Sequence, residues 1–536
     1  MAARDAKTLP VFKLSSVPAD LQSLAGHGDR IFGLTEYETQ RVDDRLSLRS
    51  GDHLVEQHLA SGGIWAADRS RLWNTDVSPK LPARESVQEL ADRFLADREL
   101  LPRLDRPFQI EYLGPGGTRL STIDRQSQKR ADRELDVQAR YAVIVSLPGF
   151  DAAIPLVGGG GKFKLIMGDG GDVIGYSGAW RPVVDAIDAD VLPIEYLDQQ
   201  FKSLIGDLDV ERFDSFLAYY SAPAANGQSH LYPVRVYQGV ARLGKKRIPL
   251  RQMMLPATDF GPTPQVAIPQ PKRAPRERSI PLVRANKRSL LTLTRGNPFE
   301  AGTSWIGLSG GLSGSQNNAA GFVNGLANDG WLVNFNWGDA NAWESDWHRN
   351  DDDWVDAADF VFYTGHANMD GWVLRNPDDG SLDFSEVGPQ AQVPGDMWGQ
   401  QDLEWTIIAA CGPLQDEVIS KGGGDVFARW GGAFDGLHLL MGYGAITGDN
   451  EDEGRLVVQY ARQGETLINA WFRTATEVQS STNGASPPNG PDVWVGVVFA
   501  YRDGITNPEN DHLWGHGSVA ADPTPPDGFV AMWTTT

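Results

Sequence analysis

Ala357-Ala358-Asp359-Phe360-Val361-Phe362-Tyr363-Thr364-Gly365-His366-Ala367 and Leu403-Glu404-Trp405-Thr406-Ile407-Ile408-Ala409-Ala410-Cys411-Gly412 are the two stretches that decide how this chain folds. Each is a short apolar run, rich in β-branched and aromatic residues, that ends abruptly at a glycine. Such runs read as strands buried on both faces, the kind found in parallel sheets. In open parallel sheets the reactive groups lie at the carboxyl ends of the strands, where the crevice opens. The pattern therefore sets His366 and Cys411, the only cysteine of the chain, at matching ends of neighbouring strands. Chemistry between them requires sulfur and imidazole to emerge side by side at that rim.

Working outward, residues from about 300 alternate strand and helix. Strands are expected at 304–307, 331–336, 359–364, 406–410, 437–446 and 493–500, and helices at 316–328, 425–430, 454–463 and 466–478. Six strands separated by helices predict an α/β fold, a mostly parallel six-stranded sheet flanked by helices. A strand ending in His followed by a strand ending in Ala-Cys resembles the caspase-like cysteine peptidases: caspases, legumains, gingipains and separases. The resemblance covers roughly the last 240 residues and is carried by the two quoted blocks. It implies Cys411 as nucleophile, His366 as proton donor to the leaving amine, and the backbone N–H groups of Cys411 and Ala367 as the oxyanion hole. One departure stands out: the family usually has Gly directly after the His, where this chain has Ala367 and a methyl that crowds the substrate path. The implied reaction passes through an acyl-enzyme that water hydrolyses or an amine captures, giving endopeptidase or peptide-ligase activity.

Upstream, an N-terminal α+β region is expected at 1–105, with an amphipathic helix opening at the capping box Ser86-Val87-Gln88-Glu89. A second α+β unit is expected at 106–255. It contains the hairpin 162–167 and 173–179 and is similar to the small inhibitory pro-domains of secreted bacterial peptidases. Gly158-Gly159-Gly160-Gly161 is not followed by the Lys-Ser/Thr of a phosphate loop. Residues 256–290, with seven prolines and a run of Arg and Lys, read as an extended linker open to processing. The catalytic domain is then 291–536.

Charge sharpens this division. From residue 301 onward 33 Asp and Glu stand against 8 Lys and Arg, a balance of −25; the whole chain carries −22, so residues 1–300 carry +3. Such an acidic half repels nucleic acid and attracts basic peptides, calcium, or the chain's own basic segments. The expected partner is a peptide or protein substrate; the N-terminal half is either an intramolecular inhibitor, which would make the precursor a zymogen, or is joined by a linker that is a plain spacer. No apolar run approaches the length needed to cross a bilayer. The opening residues lack the apolar core of a signal segment, which points to the cytoplasm; a secreted chain trimmed of its leader would begin the same way.

Other constellations carry their own expectations. Asp449, Glu451, Asp452 and Glu453 follow the fifth strand and are expected to bind calcium or to line a pocket for a substrate Arg or Lys. Asp351, Asp352 and Asp353 are dense oxygen ligands suited to calcium, the one cofactor anticipated. His348 and His438 have no partners at metal-ligand spacing in the sequence, so no zinc site is expected. Gly307-Leu308-Ser309-Gly310-Gly311 matches a nucleophile elbow and, with Asp449 and His516, forms a serine-hydrolase alternative. The remaining alternative is a catalytically inactive binding or structural protein in which Cys411 is a small core residue.

Overall fold

The computed structural model describes residues 7–536 except 16, 18, 207, 263–269, 274–298, 376–378, 390–395 and 485–489. Most of the predicted linker thus lies outside the described residues. The fold is α/β: among the described residues, seven α-helices surround one large mixed sheet of 22 strands.

Its C-terminal part is built from β1 (Glu300–Trp305), β2 (Leu332–Gly338), β3 (Phe360–Thr364), β4 (Trp405–Ala409), β5 (Leu439–Tyr443), β6 (Trp494–Tyr501) and β7 (Gly528–Thr535). Their order is β2-β1-β3-β4-β5-β6-β7; the first five run parallel and β6 and β7 are antiparallel to their neighbours. The chain alternates faces along each strand. Phe360, Phe362, Ile407 and Met441 point into one apolar core, Val361, Tyr363, Ile408 and Leu440 into another. Burial on both sides is why these strands are continuous apolar runs.

The two faces are covered differently. On the first lie α1 (Ser315–Ala327), α3 (Glu453–Arg462) and α4 (Leu467–Val478), which place Phe322, Val323, Leu456 and Trp471 against the strands. Among the described residues the second face has only the short α2 (Val426–Trp430). Turns and a three-stranded ribbon, Ala367–Asn368, Gly371–Val373 and Ser381–Asp383, complete that cover. Interlocked tryptophans fill it: Trp372 stacks on Trp430 at 5.3 Å and meets Trp347 edge-on at 5.1 Å. Flanking by helices was expected on both faces; indole packing replaces them on one.

The N-terminal half extends the same sheet. Strand Phe108–Asp124 pairs with β7 from Gly528↔Asp124 to Thr534↔Thr118, and continues into Arg130–Val145. Pairing also crosses the expected boundary at 105. Thr8–Leu14 runs beside Val183–Asp190, and Ile64–Asp68 beside Val173–Ala179. The hairpin of Lys162–Met167 with Val173–Ala179 is present as anticipated. α4 is buried on nearly every side because this half covers its outer face. Lys162 Nζ donates to the carbonyls of Thr476 and Gln479 at its C-terminal end, and Arg473 pairs with Glu56 at 2.6 Å. No helix among the described residues is long and apolar enough to cross a membrane.

Candidate functional site

β3 and β4 pair in register, Thr364 opposite Ala409. His366 and Cys411 each lie two residues beyond that pair, on the same rim. Both are fully buried. The rim is covered by residues 250–252, contributed by the N-terminal half.

The covering segment makes a dense set of contacts. The backbone N–H of Arg251 donates to His366 Nδ1 at 3.2 Å. Its guanidinium runs beneath the rim. Nη1 donates to Thr364 Oγ1 at 2.9 Å and to the Ala409 carbonyl at 2.8 Å; Nη2 donates to the Gly448 carbonyl at 2.8 Å and to Glu453 Oε2 at 3.2 Å. Gln252 pairs with the loop after β5 as a strand would: its N–H donates to the Thr447 carbonyl at 2.8 Å, and Asp449 N–H donates to the Gln252 carbonyl at 2.9 Å. An extended peptide with one arginine thus lies across the carboxyl ends of β3, β4 and β5.

Burial sets the protonation of the two sequence-predicted residues. His366 Nε2–H donates to the Gly310 carbonyl at 2.7 Å. With Nδ1 accepting from Arg251, both ring nitrogens are engaged. Burial, offset in part by the Gly310 carbonyl and reinforced by Arg251 and Arg375, lowers the imidazole to about 4. Burial pushes the Cys411 thiol up, against the pull of Arg251 and of the Thr447 N–H, which donates to Sγ at 3.3 Å. The pair is neutral, and the sulfur faces Thr447. Ala367 is buried at the start of the ribbon, opposite Trp372.

The acidic run after β5 divides by direction. Asp449 accepts from Gly314 N–H at 2.8 Å; its Oδ1 is buried although part of the residue reaches the surface, and burial, against the pull of Arg251, raises its carboxyl to about 6. Asp452 pairs with Arg455 and with Asn226 of the N-terminal half, both at 2.7 Å. Glu451 is exposed and accepts from Asn317 at 3.0 Å. The residue that receives the arginine is Glu453, the last of the four acidic residues expected to line such a pocket. It opens α3, is fully buried, and also accepts from Asn318, Tyr443 and Gln479. What singles it out from the other three is its phase: Glu453, Leu456, Val457 and Tyr460 share the inward face of α3.

Residues 300–536 match a family model described as a domain of unknown function, DUF6345. No curated protein matches the chain.

The other expected constellations are not assembled. Ser309 Oγ donates to Asp339 at 2.7 Å, whereas His516 bonds Asp329 at 2.8 Å and Asp449 serves Gly314. The elbow glycine Gly310 has a different use, because a Cβ there would stand 3.2 Å from the His366 ring. Asp351, Asp352 and Asp353 occupy one 3₁₀ turn, which splays successive side chains about its axis; Asp351 is buried and Asp352 exposed. Among the described residues, the sets whose ligand atoms converge within 4.8 Å are Glu344, His348, Glu386 and Glu300, Asp359, Asp402. Neither includes the expected calcium ligands.

A second arginine docks nearby. Arg273, from the predicted linker, is clamped by Asp346 at 2.5 and 2.9 Å. Its guanidinium lies 3.9 Å from the ring centre of Trp343 and 4.8 Å from those of Trp337 and Trp354.

Proposed function

We propose that residues 300–536 form a caspase-like cysteine endopeptidase domain with preference for basic residues, held closed by the N-terminal half of its own chain. What supports this is the Arg251 segment. It pairs with the loop after β5 in extended form, sends a guanidinium to a buried carboxylate, and lies against the imidazole of His366 on the rim that carries Cys411. A substrate arginine would use the same donors and acceptors, so the segment stands where a substrate would. Five parallel strands followed by an antiparallel sixth also fit the mostly parallel six-stranded sheet that the resemblance implies. In the open form Cys411 would attack the carbonyl carbon while His366 protonates the leaving amine. The acyl-enzyme would then pass to water or to an amine, the second outcome being ligation.

The burial of Cys411 favours a second reading, a catalytically inactive relative that binds rather than cleaves. The two readings part on thiol chemistry, since a peptidase cysteine alkylates at neutral pH when accessible and a core cysteine only on denaturation. The test compares the intact chain with Arg251→Met, each with and without Cys411→Ala, using iodoacetamide and fluorogenic Arg and Lys peptides. Peptidase chemistry predicts faster alkylation in Arg251→Met and cleavage that disappears with Cys411→Ala. If the folded Arg251→Met protein neither alkylates faster nor cleaves, the inactive reading stands.

A further inference from the structure

Away from Cys411, on the face covered by indoles, three side chains from two separate segments meet. Glu344 belongs to the 3₁₀ turn Glu344–Asp346, His348 follows it by four residues, and Glu386 closes the turn Phe384–Glu386 beyond the ribbon. One ligand atom from each falls within 4.8 Å of the others. Two of the three residues are almost sealed, Glu344 at 0% and His348 at 3% side-chain exposure. Glu344 Oε2 accepts from the N–H groups of Gly380 and Ser381 at 2.9 and 3.2 Å, so that oxygen is satisfied. The other oxygen, Oε1, and the ring nitrogen His348 Nε2 are both buried without a hydrogen-bond partner. They face each other at 3.3 Å.

A buried carboxylate oxygen and a buried imidazole nitrogen each left unsatisfied cost free energy unless a further group sits between them. A proton on the imidazole would make an ion pair of the two. A cation would satisfy both and engage Glu386 as well. We infer that Glu344, His348 and Glu386 form a binding site for a divalent transition-metal ion. The donor set fixes the class: one imidazole nitrogen with two carboxylates suits Zn²⁺ and neighbouring first-row ions, whereas Ca²⁺ and Mg²⁺ take all-oxygen sets. Three protein ligands leave a position for water. Since Glu344 also holds the loop before Ser381–Asp383, the ion would pin the ribbon to the segment that carries the Arg273 socket.

The experiment uses the full chain after dialysis against a chelator, titrated with Co²⁺ alone and then with Zn²⁺. The site predicts one equivalent of Co²⁺ with visible d–d absorption, its displacement by Zn²⁺ but not Ca²⁺, and a thermal midpoint that rises with Co²⁺ concentration. Glu386→Gln lies on the half-exposed side and leaves the metal-free fold intact; it and His348→Gln should each abolish the one-equivalent signal and the midpoint shift. The inference fails if the chelated wild type takes up no equivalent of either ion. It fails equally if both variants bind as wild type does, which would leave Glu344 and His348 as an ion pair only.

Discussion

The two ends of the parallel strands β1–β5 each hold a buried histidine and treat it in opposite ways. At the carboxyl rim His366 is lowered to about 4 by burial, with Arg251 and Arg375 beside it. At the amino rim His438 precedes β5 just as Asp359 precedes β3 and Glu404 precedes β4. Burial lowers His438 as well, but Asp511 at 2.6 Å and Asp522 push it up to about 9. Equal burial and opposite protonation mean that neighbouring charge, not depth, decides what an imidazole does here. A histidine that donates a proton needs its pKa near neutrality. Under the proposed peptidase reading His366 would need such a value; here burial, with Arg251 from the other half of the chain and Arg375 beside it, holds it lower.

Arg251→Ala breaks the comparison hardest. It leaves the fully buried Glu453 facing Asn318, Tyr443 and Gln479 without a cation. Removing one partner of a buried pair costs roughly 3–5 kcal/mol, to be read as a lowered denaturation midpoint. His366 should move the other way, since losing a positive neighbour raises its pKa toward 6.5 while the backbone N–H of residue 251 still donates to Nδ1. An NMR titration of the imidazole that shows no rise would mean that burial and Arg375 hold it down without Arg251.

The pH dependence of stability sharpens the contrast, because the histidines titrate with opposite sign. For His438 the folded pKa of about 9 exceeds the unfolded 6.5; its stabilisation is complete below pH 6.5 and is lost as pH rises through 9. For His366 the folded value of about 4 is below 6.5, so its share is present above pH 6.5 and lost as pH falls toward 4. The wild type should thus lose stability on both sides of neutrality. In Asp511→Asn the alkaline loss should shrink while the acid side stays; an unchanged alkaline limb would remove His438 from the explanation.

How much of this was legible in the sequence depends on whether the partners are local. β3 and β4 were readable because strands buried on both faces are continuous apolar runs; the expected strand 359–364 differs from the observed one by one residue at one end, and 406–410 by one residue at each end. Phe108–Asp124 was not, because Gly114-Pro115-Gly116-Gly117 interrupts it with turn residues. Only non-local pairing keeps it extended, with Gly116 so close that a Cβ would meet Thr535 and Arg140. His366 and Cys411 were visible as strand-end residues, but their cover was not, since Arg251 reaches Glu453 from 202 positions away. The Glu344–His348 pair was hidden for a related reason: its third member, Glu386, arrives after an intervening strand and ribbon.

The smallest expected effect belongs to the second arginine. Arg273 sits against three indoles and one carboxylate and is 6% exposed in its side chain. Cation–π contact and a charge-assisted pair at such a site contribute about 1–2 kcal/mol, so Arg273→Ala should lower stability modestly. The more telling readout is local. Burial pushes Asp346 up to about 6 against the pull of Arg273. A raised carboxyl binds its proton more tightly in the folded than in the unfolded chain, so falling pH favours the fold through Asp346 even as it dissolves the clamp. The two effects oppose each other in global stability but not in the indoles. Emission from Trp337, Trp343 and Trp354 should change as pH falls through about 6 and lose that transition in Asp346→Asn. A transition that persists in that variant would show that the guanidinium is held by the tryptophan faces alone, making this socket, unlike the Glu453 one, indifferent to its carboxylate.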